Sequence, residues 1–113
     1  MIRASDILAD VRENLSDSGA SRWSTETLLK RITGAVTDIF DLRPDLLLRA
    51  NGTLIEPLEV EDVADEIELP PSLRETLALM ATSKALAQDS DDRTNLERSV
   101  FYQKLGLNRI RGG

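Results

Sequence analysis

The residues best suited to chemistry in this chain are carboxylates, and seven of them lie between positions 56 and 68 with no Lys or Arg among them. Grouped carboxylates can bind Ca²⁺ or Mg²⁺, or can act as an acid–base pair in hydrolysis. The spacing does not match a calcium-binding loop, which needs ligands on alternate residues around an obligatory glycine. We therefore predict an ordered, solvated acidic segment that repels nucleic acid or meets a basic partner surface. This acidic segment comprises Glu56, Glu59, Glu61, Asp62, Asp65, Glu66 and Glu68.

The composition restricts other kinds of catalysis. The sequence contains no His and no Cys, which excludes a Ser–His pair, a thiolate nucleophile, a disulfide and the usual zinc sites. It also contains neither a GxGxxG sequence nor a P-loop to hold a phosphate group. We therefore predict that the chain is not an enzyme and has no catalytic, cofactor-binding or metal-binding residues. A hydrolase with paired carboxylates is the least favoured alternative, since the sequence has no metal-ligand spacing and no nucleophile elbow.

Length and charge indicate one small domain that acts by binding other proteins. The 113 residues fit a single domain, and 41% hydrophobic residues suffice for one core. A net charge of −6 and a pI near 4.6 argue against a dedicated nucleic-acid binder. No apolar run could span a membrane and no secretory leader is recognisable, so we expect a soluble protein without a membrane partner.

The C-terminal end of the chain is basic. From position 93 onward, Glu97 is the single acidic residue, and there are five cations: Arg93, Arg98, Lys104, Arg109 and Arg111.

Hydrophobic periodicity and capping residues predict a mainly α fold, a small four-helix domain made of two antiparallel helix pairs. The expected helices span about 5–15, 24–42, 72–88 and 91–105. The second is the clearest, because Ser24 can cap it while Trp23 folds over Leu28 as a hydrophobic staple. The short polar connection before the fourth helix implies that helices three and four are antiparallel.

An insert at about 45–69 separates the second and third helices. Asn51-Gly52 stands between two short apolar runs, which predicts a β-hairpin or an extended insert near 46–56. Gly106 is expected to end the fourth helix. The domain boundaries that follow are a helical body over 1–106 and an extended C-terminal tail over 107–113.

Two features near the C-terminus are candidates for partner contacts. The tail alternates apolar and cationic side chains, which suits docking into a groove on another chain, although a frayed terminus explains it equally well. Phe101 and Tyr102 are adjacent and must point in different directions on a helix. We expect one to be in the core and Tyr102 to be the exposed interface aromatic. The tail residues proposed for docking are Leu107, Asn108, Arg109, Ile110 and Arg111.

The order of elements resembles the head–tail adaptor (connector) proteins of tailed bacteriophages. The resemblance covers about Ser5 to Gly106 and rests on the order and spacing of weak motifs rather than on any single one. The motifs are Arg22-Trp23-Ser24 at the start of helix two, Leu42-Arg43-Pro44-Asp45 at its end, Leu69-Pro70-Pro71-Ser72-Leu73 and Thr76-Leu77-Ala78 in helix three, and Phe101-Tyr102-Gln103-Lys104-Leu105-Gly106 in helix four. The insert is shorter than in many members of the family.

The resemblance implies a structural viral protein without a catalytic motif or cofactor. Such a protein forms a homo-oligomeric ring, typically of twelve copies, that docks beneath the portal protein through its C-terminal segment. It joins the DNA-filled head to downstream tail or stopper proteins, and DNA passes through its channel without sequence-specific binding. The expected location is the head–tail neck of the virion, with assembly in the host cytoplasm.

A second function from another class is a small helical DNA-binding regulator. Helices one and two could be a helix-turn-helix, but the second helix carries too few cations to contact a groove of DNA.

The charge distribution also agrees with a ring. A ring needs two different complementary faces on one protomer, and an acidic middle with a basic end can provide them.

Overall fold

The computed structural model describes residues 1–15, 23–56, 59–88 and 93–112, and within them the chain forms four α-helices and one two-stranded sheet. This confirms the predicted mainly α class with four helices. The helices are α1 (Ala4–Leu15), α2 (Thr25–Leu42), α3 (Arg74–Gln88) and α4 (Arg93–Gly112). The strands are β1 (Ile2–Arg3) and β2 (Glu66–Ile67), and short 3-10 turns span Pro44–Leu47 and Pro71–Leu73.

The start of α2 has the predicted cap. The Ser24 hydroxyl oxygen accepts a hydrogen bond from the Thr27 backbone N–H at 3.1 Å, which satisfies one of the free donors of the first turn. Trp23 and Leu28 are both buried in the same hydrophobic core. Arg12 of α1 holds this corner, since its guanidinium donates to the Trp23 carbonyl and to the Thr25 hydroxyl, both at 3.0 Å.

Helix α3 is the centre of the packing and contacts each of the other three helices. It is buried on almost every side, which explains its many alanines, because small side chains let helices approach closely. The hydroxyls of Ser83 and Ser99 donate to each other's backbone carbonyls at 2.8 Å, and together they join α3 to α4. Arg109 near the end of α4 pairs with Glu75 near the start of α3, so the two helices run antiparallel as predicted.

The predicted end of α4 at Gly106 is wrong, and so is the predicted extended tail over 107–112; Gly113 lies outside the described residues. The helix continues to Gly112, and the side chain of Ile110 is only 6% exposed. Gly106 serves close packing instead of helix termination, because a Cβ there would lie 2.7 Å from Cγ of the buried Met80. The sequence alone does not distinguish a glycine that allows two helices to pack closely from a glycine that ends a helix.

The sheet joins the beginning of the chain to the acidic segment, and its two-residue strands are too short to give a signal in the sequence. β1 and β2 pair antiparallel, with Ile2 opposite Ile67 and Arg3 opposite Glu66. The backbone N–H groups of Ala4 and Ser5 then donate to the carbonyls of Asp65 and Val63 at 2.9 and 3.0 Å. The backbone N–H groups in the first turn of a helix have no intrahelical acceptor, and carbonyls of the acidic segment accept hydrogen bonds from two of them in α1.

The insert contains the predicted hairpin in a minimal form. Leu48 and Leu54 form an isolated antiparallel bridge, and the Arg49 N–H donates to the Thr53 carbonyl at 2.8 Å. Gly52 has φ +86°, so it occupies the left-handed position that closes a three-residue hairpin loop. The Asn51 side-chain oxygen accepts from both the N–H and the hydroxyl of Thr53, which stabilises the turn.

Candidate functional site

A groove of about 600 Å³ lies between α2 and the acidic segment. Its volume is in the range of about 300–1,000 Å³ that is typical of ligand pockets. Its surface combines apolar side chains from α2, the hairpin and β2 with a carboxylate border. The apolar side chains are Val36, Phe40, Ile55, Val60 and Ile67, and the carboxylates are Glu56, Glu59, Glu61, Asp65, Glu66 and Glu68. We call this site the acidic groove.

The backbone around the acidic groove is held by a small set of hydrogen bonds. The Asp65 carboxylate accepts from the N–H groups of Glu61 and Asp62 at 3.0 and 3.1 Å. Asp62 in turn accepts from the Ala64 N–H at 2.9 Å. The Val60 N–H donates to the Thr33 hydroxyl of α2 at 2.9 Å, which fixes the segment against the helix. Asp62 and Asp65 therefore have a structural role within the loop.

Arg49 connects the hairpin to the end of β2. Its guanidinium donates two hydrogen bonds to the Glu68 carboxylate, at 2.7 and 2.8 Å, and a third to the Leu54 carbonyl at 3.0 Å. The hydrogen bonds from Arg49 hold the pKa of Glu68 below its ordinary value, and the same contact raises the pKa of Arg49. Glu68 is thus neutralised locally and fixes one wall of the groove.

The remaining carboxylates of the acidic segment are exposed. Within the described residues, those of Glu56, Glu59, Glu61 and Glu66 make no hydrogen bond or ion pair with another group. The structure thus divides the predicted site into three structural carboxylates, on Asp62, Asp65 and Glu68, and four that face solvent. The exposed carboxylates give the groove a negative electrostatic potential, which attracts cations.

The predicted docking tail is arranged differently from the expectation. Ile110 is buried and Arg109 pairs with Glu75 at 2.8 Å, so both residues hold α4 against the body of the domain. Leu107 is half-buried and Asn108 is exposed, while the side chain of Arg111 lies outside the described part of the structure. These residues are therefore part of the helical domain in this chain.

The assignment of the two adjacent aromatics is reversed. Phe101 is 58% exposed, whereas Tyr102 is half-buried and packs against the core. The two rings are in edge-to-face contact with centroids 5.7 Å apart. Tyr102 was predicted as the interface aromatic because its hydroxyl tolerates water, but the direction of each side chain on α4 decides which ring is exposed.

Two exposed leucines on the hairpin were not identified from the sequence. Leu48 and Leu54 are 59% and 71% exposed and lie opposite each other in the bridge, so they share one face of the hairpin. The Asn51-Gly52 turn could have indicated this pair, because the length of a hairpin loop determines which residues of the two strands face each other. Exposed apolar pairs of this kind are suited to contact with another protein.

Comparisons with family models, curated proteins and solved structures found no match to this chain. Among the residues that the structure describes, no group of three or more His, Cys, Asp or Glu side chains is placed so that it could hold one metal ion. No helix in the described ranges is long and apolar enough to cross a membrane.

Proposed function

We propose that this chain is a structural subunit of a bacteriophage head–tail connector and acts by binding rather than by catalysis. Copies of the chain form a ring, typically of twelve, beneath the portal protein. The ring joins the head to the downstream tail or stopper proteins and surrounds a channel through which DNA passes.

The order of elements is the observation that carries this proposal. Two helices are followed by an insert with a hairpin and then by two antiparallel helices, which is the arrangement that the sequence resemblance implies. The Arg49–Glu68 ion pair joins the two ends of the insert, and the insert is anchored to the body by the pairing of β2 with β1 and by the hydrogen bond from the Val60 N–H to the Thr33 hydroxyl. It is therefore a defined surface that a neighbouring subunit can recognise without a large ordering cost.

The charge distribution supports a role beside DNA. The chain carries a net charge of −6, which would repel phosphates, so DNA would pass the ring without adhering to it. The exposed leucines of the hairpin supply apolar contact area of the kind found in protein interfaces.

Electron microscopy of phage particles that carry a gold-labelled copy of the chain tests the proposal. We expect one cluster of label at the neck, between head and tail, in every mature particle. Label on the capsid shell or the tail tube, or particles that assemble fully without the chain, would contradict a connector function. The matched control is the same label on a known capsid protein, which must decorate the shell.

A further inference from the structure

The acidic groove has the features of a docking site for a cationic amphipathic helix face. Its apolar side chains come from α2 and β2, and exposed carboxylates line its border. An apolar surface bordered by one sign of charge favours an occupant with an apolar side chain beside a charge of the opposite sign. Arg49 leaves this field intact, because its charge is already matched by Glu68.

The chain itself carries such a surface on α4. Val100 and Phe101 are 49% and 58% exposed, and Lys104 is exposed one turn further along the helix. Residues three and four apart share a helix face, so these three side chains form one stripe. We call it the α4 stripe. It combines an exposed aromatic side chain, of a type enriched in protein interfaces, with a cation. Glu97 lies one turn earlier on the same face and already makes an interaction of its own.

Within one molecule, the α4 stripe and the acidic groove lie on different elements. α4 packs chiefly on α3, whereas the acidic groove is formed by α2, the hairpin and the acidic segment. The α4 stripe lies on the face of α4 that is exposed to solvent. The surfaces are thus different patches on one protomer, which is the requirement for a heterologous, head-to-tail contact.

We propose that the α4 stripe of one copy docks into the acidic groove of the next, with Phe101 against the apolar side chains and Lys104 among the carboxylates. This inference rests on the proposed function, since a ring subunit must contact copies of itself, and it names the two surfaces that meet. Because each copy keeps one free groove and one free stripe, the contact can propagate, and it gives a ring when the rotation between neighbouring copies closes.

Cysteine cross-linking tests the pairing directly, because the chain has no cysteine of its own. Full-length Lys104→Cys and Glu61→Cys variants are each treated with a short bis-maleimide cross-linker, alone and as a mixture. A heterologous contact predicts abundant cross-linked product only in the mixture. Product from either variant alone at equal yield, or no product in the mixture at the highest soluble concentration, overturns the proposal.

Sedimentation velocity measures the contribution of each side chain. Phe101→Ser and Lys104→Glu are each expected to weaken self-association by about tenfold or more. The control Leu42→Ser removes an apolar side chain that is 47% exposed but lies outside the groove, and it should leave association unchanged. Adding Glu61→Lys to Lys104→Glu should restore part of the loss. Equal effects of Phe101→Ser and Leu42→Ser would overturn the proposal, provided that circular dichroism shows both variants folded.

The two proposals can fail separately. A chain that cross-links in the expected pattern but is absent from the neck retains this interface and loses the connector function. A chain that is found at the neck but whose mixed variants do not cross-link loses this interface alone.

Discussion

At the scale of single residues, Arg49 determines the geometry of the insert. One guanidinium reaches the Thr53 hydroxyl and the Leu54 carbonyl on the opposite strand of the hairpin, and the Glu68 carboxylate just after β2. A planar guanidinium can satisfy several acceptors at fixed angles, which a lysine ammonium cannot do. The hairpin has only one bridge of its own, so these contacts supply much of its order.

The Arg49–Glu68 contact predicts a pH dependence. Because the folded-state pKa of Glu68 is lowered, the contact stabilises the fold above the ordinary pKa of a glutamate and is lost as the pH falls through the lowered value. NMR titration of the Glu68 carboxyl should show this low pKa, and Arg49→Met should return it toward the ordinary range. A Glu68 pKa that is the same in both proteins would contradict the assignment.

Gly106 gives a second prediction at this scale. Gly106→Ala should lower the free energy of unfolding, because overpacking against Met80 costs about 1–3 kcal/mol and exceeds the gain of about 1 kcal/mol in helix propensity. Gly34→Ala in α2 is the matched control, since a Cβ there would meet only the flexible Lys84 side chain at 3.4 Å. Thermal melts should show a lower midpoint for Gly106→Ala and an equal or higher one for Gly34→Ala.

At the scale of elements, the predictable parts were those with local signals. α1 and α2 agree with their predicted bounds to within one residue, because Ser24 caps α2 and Pro44 follows its end. α4 was predicted too short, since the role of Gly106 depends on Met80 across a tertiary contact. The strands β1 and β2 are two residues each, which is too short for any periodicity, and their partner is distant in the chain.

The last turns of α4 are therefore expected to stabilise the domain. Ile110→Ala should reduce the free energy of unfolding by about 2 kcal/mol, at the lower end for buried aliphatic truncations because Ile110 lies near a helix end. Asn108→Ala is the control, since Asn108 is exposed on the same turns. Chemical denaturation should show a loss for Ile110→Ala alone. Equal midpoints would mean that residues after Gly106 add nothing to the fold.

At the scale of the whole molecule, the negative charge disfavours contact with the phosphates of DNA. The net charge is −6, and the four solvent-facing carboxylates are concentrated on one surface. Several cations of the described residues are already paired with carboxylates, as Arg74 is with Asp10 and Lys84 with Asp38, which makes them less available for phosphate contacts. The candidate site could be predicted from the sequence as an acidic surface, but its apolar part could not, because Val36 and Phe40 come from a distant helix.

This charge distribution predicts how the chain treats DNA. Fluorescence anisotropy should detect no binding to duplex DNA at physiological salt, about 0.15 M. Changing Glu56, Glu59, Glu61 and Glu66 together to Gln should raise non-specific retention at low salt, since repulsion of phosphates is reduced. These four positions are chosen because Asp62, Asp65 and Glu68 hold the loop. Tight binding by the unmodified chain would favour a DNA-binding regulator instead.

The pairing of β1 with β2 also has a consequence for the order of events during folding. β1 and β2 lie far apart in the sequence, and the Arg74–Asp10 contact likewise spans 64 residues. Because a long loop must close before such non-local contacts can form, we expect them to form later than the local α3–α4 pair. One wall of the acidic groove consists of β2, so a newly made chain does not present its groove until its first residues have returned to it. In the proposed ring, association between copies would therefore wait until each copy is folded, which would protect the assembling ring from incorporating incomplete subunits.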